Sequence, residues 1–414
     1  MQQHFSQPQA VTERHLDRLD GSSTLAPQTK VAPVRIPCFR PMIGEQEIEA
    51  ATAVLRSGWL TTGAKAREFE QNFAAFMGGD VEAIAVNSAT AGLHLAAEAC
   101  GIGPGDEVLV PTLTFTATAS IVRYLGADVI LVDVDEDSRC IDLDQAERRL
   151  TSRCKAIIPV HFGGYPCDMS KVLEFARRHD LKVIEDAAHA VPASRDGRLI
   201  GSWESDACVF SFYACKPITT GEGGMIVTRD PKIAARMRVM RTHGLDRDAF
   251  DRFRAVGAAW AYDVVAPGFK YNLTDVAAAI GVVQLGRAWA LQASRQRAAE
   301  RYLELLTGLP IDCPAPAPPG GLHSWHMFPI SLHECAPVNR DELIAGLNAQ
   351  GIGTSVHYRP LHEMTYWRQR QGCVPGDFPV ASRYFAGAVT LPLFPGMTDA
   401  QIDRVVAAVR EILA

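Results

Sequence analysis

The chain has 414 residues, of which 47% are hydrophobic and 21% are charged. This composition is typical of a globular protein with a large core, and the length predicts two or three domains. The formal net charge is −6 at pH 7 and no long basic run is present, which argues against nucleic acid as the main partner. No apolar stretch is long enough to span a bilayer, so we expect no membrane partner.

Ten cysteines are scattered along the chain, and none of them forms a C-x-x-C pair. A redox or zinc motif is therefore not indicated. Several of the cysteines lie in apolar runs, as buried thiols do. Because the first 20 residues also contain no apolar signal-peptide core, we expect a protein of the reducing cytoplasm.

Residues 1–35 are polar with little periodicity, which predicts a disordered or loosely attached tail. Helices are predicted next, over 41–56 and 66–77. Short apolar strands then alternate with helices, and the strands are predicted at 83–86, 107–110, 128–132, 156–160, 182–184, 208–212 and 225–227. Apolar strands that alternate with helices predict an α/β fold, with a large, mostly parallel seven-stranded sheet covered by helices.

The pattern after residue 272 is mainly helical. A Pro/Gly-rich segment lies at 314–321, and strand, helix and strand are predicted at 327–332, 341–349 and 354–358. The last helix begins at Thr398, whose hydroxyl can cap it. We therefore expect a large domain over 36–286 and a smaller C-terminal α+β domain over 287–414.

The strongest chemical signal is Lys216, which stands between the strand at 208–212 and a glycine-rich turn. A lone lysine at the end of a core strand is costly to bury unless its charge is paired or removed. One way to remove the charge is an imine with a carbonyl cofactor. A solvated lysine beside a glycine turn is the alternative that these residues leave open.

Two further signals have the right chemistry for the same site. Asp186 follows the strand at 182–184, and a carboxylate placed there can keep a pyridine nitrogen protonated. Ser88 and Thr90 stand at a strand-to-helix junction, where hydroxyls and free N–H groups suit a phosphate. Each signal is weak alone, since such residues are often only helix caps. Together with Lys216 they predict a pyridoxal 5′-phosphate (PLP) site at the carboxyl ends of the strands.

Eight ordered blocks carry a family resemblance from about residue 43 to the C-terminus: SGWLTTG (57–63), NSATAGLHLA (87–96), GIGPGDEVLVPTLTF (101–115), VIEDAAHA (183–190), FSFYACKPITTGEGGM (210–225), HG (243–244), PGFKYNLTDVAAAIGVVQL (267–285) and GIGTSVHYRPLH (351–362). With these blocks the chain resembles the PLP-dependent sugar aminotransferases of the DegT/StrS family. The resemblance implies the aspartate aminotransferase fold (PLP fold type I), PLP as the cofactor, and a homodimer with shared active sites.

The resemblance also implies roles for single residues around the cofactor ring. Lys216 matches the catalytic lysine that is bonded to the cofactor, and Asp186 matches the partner of the pyridine nitrogen. His189 matches a Gln or His near the cofactor's 3′-oxygen, and Phe115 matches an aromatic ring on the pyridine face. His189 and Phe115 also have a simpler interpretation, as ordinary core residues.

The phosphate and substrate positions follow from the same blocks. The phosphate-site residues implied are Ser88, Ala89, Thr90 and Ser211, with Asn272 reaching the phosphate of the neighbouring subunit. The substrate-side residues implied are Trp59, His357 and Tyr358. His357 and His362 lie close enough in sequence to suggest metal ligands, but no third ligand is evident, so we expect no metal site.

The resemblance implies transamination of a nucleotide-linked keto-sugar, at the 4-keto position, with glutamate or glutamine as the amino donor. The nearest branch is the C4 aminotransferases of UDP-4-keto sugars, of the 4-amino-4-deoxyarabinose type. The alternatives are a sugar 3-dehydratase, in which histidine replaces the lysine, a keto-cyclitol aminotransferase, and a non-catalytic regulatory family member.

Overall fold

A computed structural model describes residues 35–246 and 261–414, so the predicted tail lies outside the described residues apart from its last position. The helices are α1 (Glu45–Ser57), α2 (Ala64–Phe76), α3 (Ala89–Ala99), α4 (Ala117–Tyr124), α5 (Leu143–Arg149), α6 (Met169–Arg178), α7 (Pro231–Met240), α8 (Asp275–Gly286), α9 (Ala288–Leu305), α10 (Arg340–Ala349), α11 (Thr365–Gln371), α12 (Pro379–Gly387) and α13 (Asp399–Ile412). The strands are β1 (Glu82–Val86), β2 (Glu107–Pro111), β3 (Asp128–Val132), β4 (Cys154–Ile157), β5 (Lys182–Asp186), β6 (Ser194–Arg195), β7 (Arg198–Leu199), β8 (Ala207–Ser211), β9 (Gly224–Thr228), β10 (Ile311–Asp312), β11 (Phe328–Leu332) and β12 (Ala388–Leu391).

The main sheet has seven strands in the order β1-β9-β8-β5-β4-β2-β3. Every neighbouring pair is parallel except the two that involve β9, which runs antiparallel to both β1 and β8. The prediction of a large, mostly parallel seven-stranded sheet is confirmed. The middle residues of most strands are apolar because helices cover the sheet on both faces.

Each face of the sheet has its own apolar core. On one face, Phe73 of α2 packs on Phe210 of β8, with their ring centroids 5.1 Å apart. On the other face, α3 lies so close to the sheet that a Cβ on Gly92 would approach the Val209 side chain to 2.7 Å. This tight packing brings the start of α3 close to the carboxyl end of β8.

The C-terminal part contains a three-stranded antiparallel sheet in the order β10-β11-β12. Helices α9, α10 and α13 bury one core with it, in which Tyr302 packs on Phe328 at 4.9 Å between ring centroids. The predicted strand at 354–358 is wrong, because only Ser355 pairs, in a single bridge to Thr390. The sequence analysis missed β12, which takes the third place in this sheet.

Helices α8 and α9 are separated by one residue, Arg287, at a bend of 61°. The predicted domain boundary falls at this bend, and the division into 36–286 and 287–414 stays a prediction. Among the described helices, none is by itself long and apolar enough to cross a bilayer, although α8 and α9 together reach the required length and composition as a bent pair.

Candidate active site

A cavity of about 360 Å³ opens where β5 and β8 end and α3 begins. Ten of the predicted site residues line it: Ser88, Ala89, Thr90, Phe115, Asp186, His189, Ser211, Lys216, His357 and Tyr358. The lining residues that were not predicted are Leu93, Thr114, Ala117, Val160, Ala188, Tyr213, Cys215, Glu222 and Gly223. Positions from five separate blocks of the sequence therefore converge on one site.

One end of the cavity is the N-terminus of α3. Ser88 caps the helix, and its hydroxyl accepts a hydrogen bond from the Ala91 N–H at 3.1 Å. The first intrahelical bond is made by Gly92, so the N–H groups of Ala89 and Thr90 have no acceptor within the helix. A Cβ on Gly224 would lie 2.8 Å from the Ala89 nitrogen, so this close packing of β9 requires glycine. The resulting positive helix end suits a phosphate.

Asp186 forms the buried wall of the cavity as the last residue of β5. Its carboxylate accepts hydrogen bonds from the Thr118 hydroxyl at 2.7 Å and from the Ala188 N–H at 3.1 Å. Burial raises the pKa of Asp186, and these bonds together with the charge of Lys216 oppose that rise. Within residues 35–246 and 261–414 it forms no ion pair, and a buried carboxylate of this kind suits a cationic partner.

Lys216 stands half-buried in the loop between β8 and β9. The loop is closed by backbone bonds from Thr220 N–H to Phe212 O and from Phe212 N–H to Gly223 O, both 2.9 Å long. Burial lowers the pKa of the Lys216 amine, although the charges of Cys215 and Asp186 act in the opposite direction. At neutral pH a larger fraction of an amine whose pKa is lowered is unprotonated, and the unprotonated amine is the form that acts as nucleophile and base.

His189 and Tyr358 face each other across the cavity. The Gly163 N–H donates to His189 Nδ1 at 3.2 Å, so Nδ1 carries no proton and the ring proton is on Nε2. His189 Nε2 therefore donates to the Tyr358 hydroxyl, 3.2 Å away. Burial lowers the pKa of His189 well below its usual value, with Lys216 adding to the effect. The neutral ring thus holds one defined tautomer.

Two further predicted residues complete the cavity wall. Phe115 is 56% exposed, and its ring centroid is 6.0 Å from that of Tyr358. An exposed phenyl ring on a cavity wall offers a face for stacking against a planar group. His357 is bonded through Nδ1 to the Thr390 hydroxyl at 2.8 Å, and burial lowers its pKa to about 4. His357 is therefore neutral at pH 7.

Trp59 and Asn272 lie together outside the cavity of their own chain. Trp59 Nε1 donates to the carbonyl of Thr62 at 3.2 Å, and Asn272 Nδ2 donates to the hydroxyl of Thr62 at 2.7 Å. The backbone of Asn272 pairs with Val86, at the end of the strand that precedes Ser88. Because neither residue lines the cavity of its own chain, the substrate role of Trp59 and the phosphate role of Asn272 stay predictions.

Several residues that support the site were not found by sequence reasoning. Thr118 holds Asp186, and Ser324 donates through its hydroxyl to the carbonyl of His189. The ring of His326 lies 4.4 Å from that of His189, between centroids. Within the described ranges no group of three His, Cys, Asp or Glu side chains is placed to hold a metal ion. The only available sequence signal was that Thr118 follows closely after Phe115.

Comparison with known proteins agrees with this arrangement. Residues 41–410 match the DegT/DnrJ/EryC1/StrS aminotransferase family. The spore coat polysaccharide biosynthesis protein SpsC of Bacillus subtilis is 43% identical over 380 residues, which cover 91% of this chain and 97% of SpsC.

Solved structures give the same result. The PLP form of the putative sugar aminotransferase Spr1654 from Streptococcus pneumoniae is 30% identical with a TM-score of 0.84, covering 92% of this chain and 100% of that one. Its PMP form has a TM-score of 0.85 at 31% identity, with coverage of 91% and 98%. PseC of Helicobacter pylori, an aminotransferase of pseudoaminic acid biosynthesis, is 25% identical with a TM-score of 0.83, covering 92% and 99%.

The cavity itself fits PLP. A helix N-terminus with free N–H groups lies at one end, a buried carboxylate without an ion pair among the described residues lies in the wall, and an amine of lowered pKa stands beside it. These groups match a phosphate, a protonated pyridine nitrogen and an aldehyde respectively. The chain belongs to the DegT/DnrJ/EryC1/StrS aminotransferase family and is a PLP-dependent aminotransferase with sugar aminotransferases among its relatives.

Proposed function

We propose that the protein transfers an amino group from glutamate to the 4-keto group of a nucleotide-linked sugar, which yields an amino sugar and 2-oxoglutarate. The observation that carries the proposal is the Lys216 amine in the cavity, beside the buried carboxylate of Asp186. A lysine at this position argues against the 3-dehydratases, in which histidine replaces it. A sugar substrate is also supported by SpsC and PseC, whose names place them in polysaccharide and pseudoaminic acid biosynthesis.

In this proposal the residues on each side of the cavity bind a different part of the cofactor. Ser88 with the N–H groups of Ala89 and Thr90 binds the phosphate of the cofactor, and Asp186 keeps its ring nitrogen protonated. Phe115 covers the ring face. When bound, PLP supplies an electron sink for the carbon that carries the transferred nitrogen.

Lys216 removes a proton from the substrate in this proposal. Because burial lowers its pKa, a larger fraction of the amine is unprotonated at neutral pH than for a solvated lysine. The neutral amine takes the proton from the substrate carbon that bears the nitrogen, acting as a general base. His189 and Tyr358 carry no charge and offer a hydrogen-bonded pair to the 3′-oxygen of the cofactor.

We infer that the active form is a homodimer and that Asn272 contributes to the phosphate site of the neighbouring subunit. Helix α1 supports an interface, because Ile48 and Leu55, seven positions apart on one face, are 51% and 56% exposed. We also place the reaction in the cytoplasm. All ten cysteines are free thiols, as expected in a reducing compartment.

A screen of nucleotide-linked 4-keto and 3-keto sugars and keto-cyclitols, with glutamate or glutamine as donor, tests the proposal. Product mass and stereochemistry identify the aminated carbon, and Lys216→Met serves as the inactive control. We expect an amino sugar from a 4-keto substrate. Amination of only the 3-keto sugars or cyclitols contradicts the proposed substrate, loss of a hydroxyl without amination indicates a dehydratase, and a protein that takes up no PLP contradicts an enzymatic role.

A further inference from the structure

Glu185 is a buried carboxylate that the proposed reaction does not use. It stands next to Asp186 in β5, and successive side chains of a strand point to opposite faces of the sheet. Since Asp186 lines the cavity, Glu185 points into the protein on the other face. One of its oxygens accepts a hydrogen bond from the Ser205 hydroxyl at 2.5 Å, and the other lies 3.0 Å from His161 Nε2. The side chains of Glu185 and His161 are both fully buried, and these bonds supply the partners that a buried carboxylate requires.

The His161 ring is held at both of its nitrogens. The backbone N–H of Cys167 donates to Nδ1 at 3.0 Å, so Nδ1 carries no proton and the ring proton is on Nε2. Nε2 is therefore the donor to Glu185. The backbone N–H of His161 also donates to the carbonyl of Asp186 at 3.1 Å. His161 is thus fixed in orientation against the two acidic residues at the end of β5.

The backbone that follows His161 leads directly to the active site. The Gly164 N–H donates to the carbonyl of His161 at 3.0 Å and closes a turn over residues 161–164. Within this turn Gly163 has a φ of 65°, in the left-handed region that favours glycine. The Gly163 N–H donates to His189 Nδ1 at 3.2 Å. The position of this donor depends on how firmly the turn is held, and His161 is the first residue of the turn.

The proton position on His189 depends on that one donor. Within the described chain the His189 ring makes two hydrogen bonds, one with the Gly163 N–H and one with the Tyr358 hydroxyl, which lies 3.2 Å from Nε2. A hydroxyl can donate or accept, so the bond with Tyr358 is compatible with either tautomer. A backbone N–H can only donate, so the bond with Gly163 is the one that requires an unprotonated Nδ1. If the turn were loosened, the proton could reside on either ring nitrogen.

We propose that Glu185 and His161 are positioning residues for the cofactor site. Their hydrogen bond holds the turn, the turn places the Gly163 N–H at Nδ1 of His189, and the ring proton is thereby kept on Nε2. Nε2 is the nitrogen that serves the 3′-oxygen of PLP in the proposed function, on which this inference rests. Because neither Glu185 nor His161 lines the cavity, their effect on the cofactor is exerted through His189.

NMR reads the proton position directly. Histidine is labelled with an NMR-active nitrogen isotope in the full-length, PLP-loaded protein, and a protonated ring nitrogen is distinguished from an unprotonated one by its shift. The signals of His189 are assigned by their absence in His189→Gln. We expect Nδ1 of His189 to be unprotonated in the wild type. In His161→Asn we expect both tautomers, because the shorter amide can accept the Cys167 N–H but does not reach Glu185.

Two variants at position 185 test the acceptor of the same bond. The amide oxygen of Glu185→Gln can still accept from Nε2 of His161, so this conservative variant should retain the wild-type tautomer of His189. Glu185→Leu removes the acceptor and should give the same mixture of tautomers as His161→Asn. The double variant of His161→Asn and Glu185→Leu should resemble either single variant, because both substitutions remove one and the same bond.

The matched control for a buried histidine is His362→Asn. His362 is 1% exposed, and its Nδ1 is bonded to the Thr112 hydroxyl at 2.7 Å. Loss of this bond should lower the unfolding temperature but leave the tautomer of His189 unchanged. The control thus separates a specific effect on His189 from a general loss of stability.

Steady-state kinetics add a second readout. In His161→Asn we expect kcat of transamination to fall about 10-fold, as for one lost hydrogen bond, because the 3′-oxygen loses its fixed donor. The KM values for glutamate and for the keto-sugar should stay within about 3-fold of wild type, since neither Glu185 nor His161 contacts a substrate.

Two results overturn the positioning role. One is a folded His161→Asn protein in which the proton of His189 stays wholly on Nε2, and the other is a mixture of tautomers in His362→Asn as well. Should His161→Asn fail to fold, Glu185→Leu decides in its place. A mixed tautomer with unchanged kcat overturns the effect on the cofactor. Failure of the proposed function is distinguishable, because NMR needs no substrate and a wild type that aminates no keto-sugar leaves the tautomer result standing.

Discussion

Thr118 and Asp186 are 68 positions apart in the chain, and their side chains share a 2.7 Å hydrogen bond in the buried wall of the cavity. Thr118 Oγ1 also lies 2.8 Å from Thr114 Oγ1. Because Thr118 donates its single hydroxyl proton to Asp186, Thr114 is the donor in the second bond. The carboxylate therefore ends a short relay of two hydroxyls, which favours its ionised form.

Replacing Thr118 by valine should move the acid limb of the activity profile. The hydrogen bond lowers the pKa of Asp186 against the effect of burial, so its loss raises that pKa and the carboxylate protonates at a higher pH. We expect the acid limb to move up by about 1 pH unit and PLP binding to weaken below it. The measurement is the pH dependence of transamination and of PLP affinity. Thr228→Val removes a buried hydroxyl bond far from the cavity and should leave the limb in place.

Lys216→Met should abolish transamination, with a loss of at least about 100-fold, because the general base is removed. Borohydride treatment of the PLP-loaded wild type should attach the cofactor to the peptide that contains Lys216, as seen by peptide mass. The exposed Lys232 provides the control, and Lys232→Met should behave as wild type in both assays. A label on another lysine contradicts the central assignment.

Tyr358→Phe leaves the Nε2 proton of His189 without its acceptor. We expect a loss of about 1 kcal/mol in the free energy of unfolding, as for one hydrogen bond with a buried donor left unpaired. Tyr302→Phe is the matched control, since the hydroxyl of Tyr302 is buried and has no partner within the described ranges. Its removal should be neutral or stabilising, and equal destabilisation of both variants contradicts the assigned hydrogen bond.

Asn272 should act across the dimer interface. The homodimer of Lys216→Ala and the homodimer of Asn272→Ala should both be inactive, because each substitution disables both sites. A hybrid dimer with one subunit of each variant has both substitutions in one site, so its other site is intact. Random mixing should restore about a quarter of wild-type activity, because half of the dimers are hybrids with one intact site each. The measurement is activity after the two variants are unfolded together and refolded. If Asn272 acts within its own chain, the mixture stays as inactive as its components.

Stability should fall steeply with acid. Burial lowers the pKa of His323 from 6.5 to about 3, so the folded state binds this proton only well below pH 6.5. The contribution of neutral, buried His323 to the free energy of unfolding is complete above pH 6.5. It is lost as the pH falls towards 3, by about 1.4 kcal/mol per pH unit for each such histidine. Urea unfolding midpoints from pH 7.5 to 4.5 measure it. His323→Asn should flatten the slope, and the exposed His333→Asn should not.

The sheet, and the presence of Lys216 and Asp186 in one cavity, could be predicted because their signals are local. Apolar runs and helix periodicity mark the seven strands and most helices wherever they occur. Lys216 and Asp186 were found because a charged residue beside a buried strand is unusual in itself. The strand at 354–358 was wrongly predicted because that prediction also depended on local composition alone. Its residues have strand-like composition, but His357 and Tyr358 line the cavity and the sheet pairs with Ala388–Leu391 instead.

The sequence by itself determined the fold class and the cofactor, and it predicted Lys216 as the lysine that carries the chemistry, since each depends on which residue types stand at the ends of apolar strands. Only the tertiary structure decided the proton position on His189 and the relay from Thr118 to Asp186. These depend on contacts between residues 26 to 169 positions apart. Such contacts are determined by how helices pack on the sheet, and no local pattern in the chain encodes them.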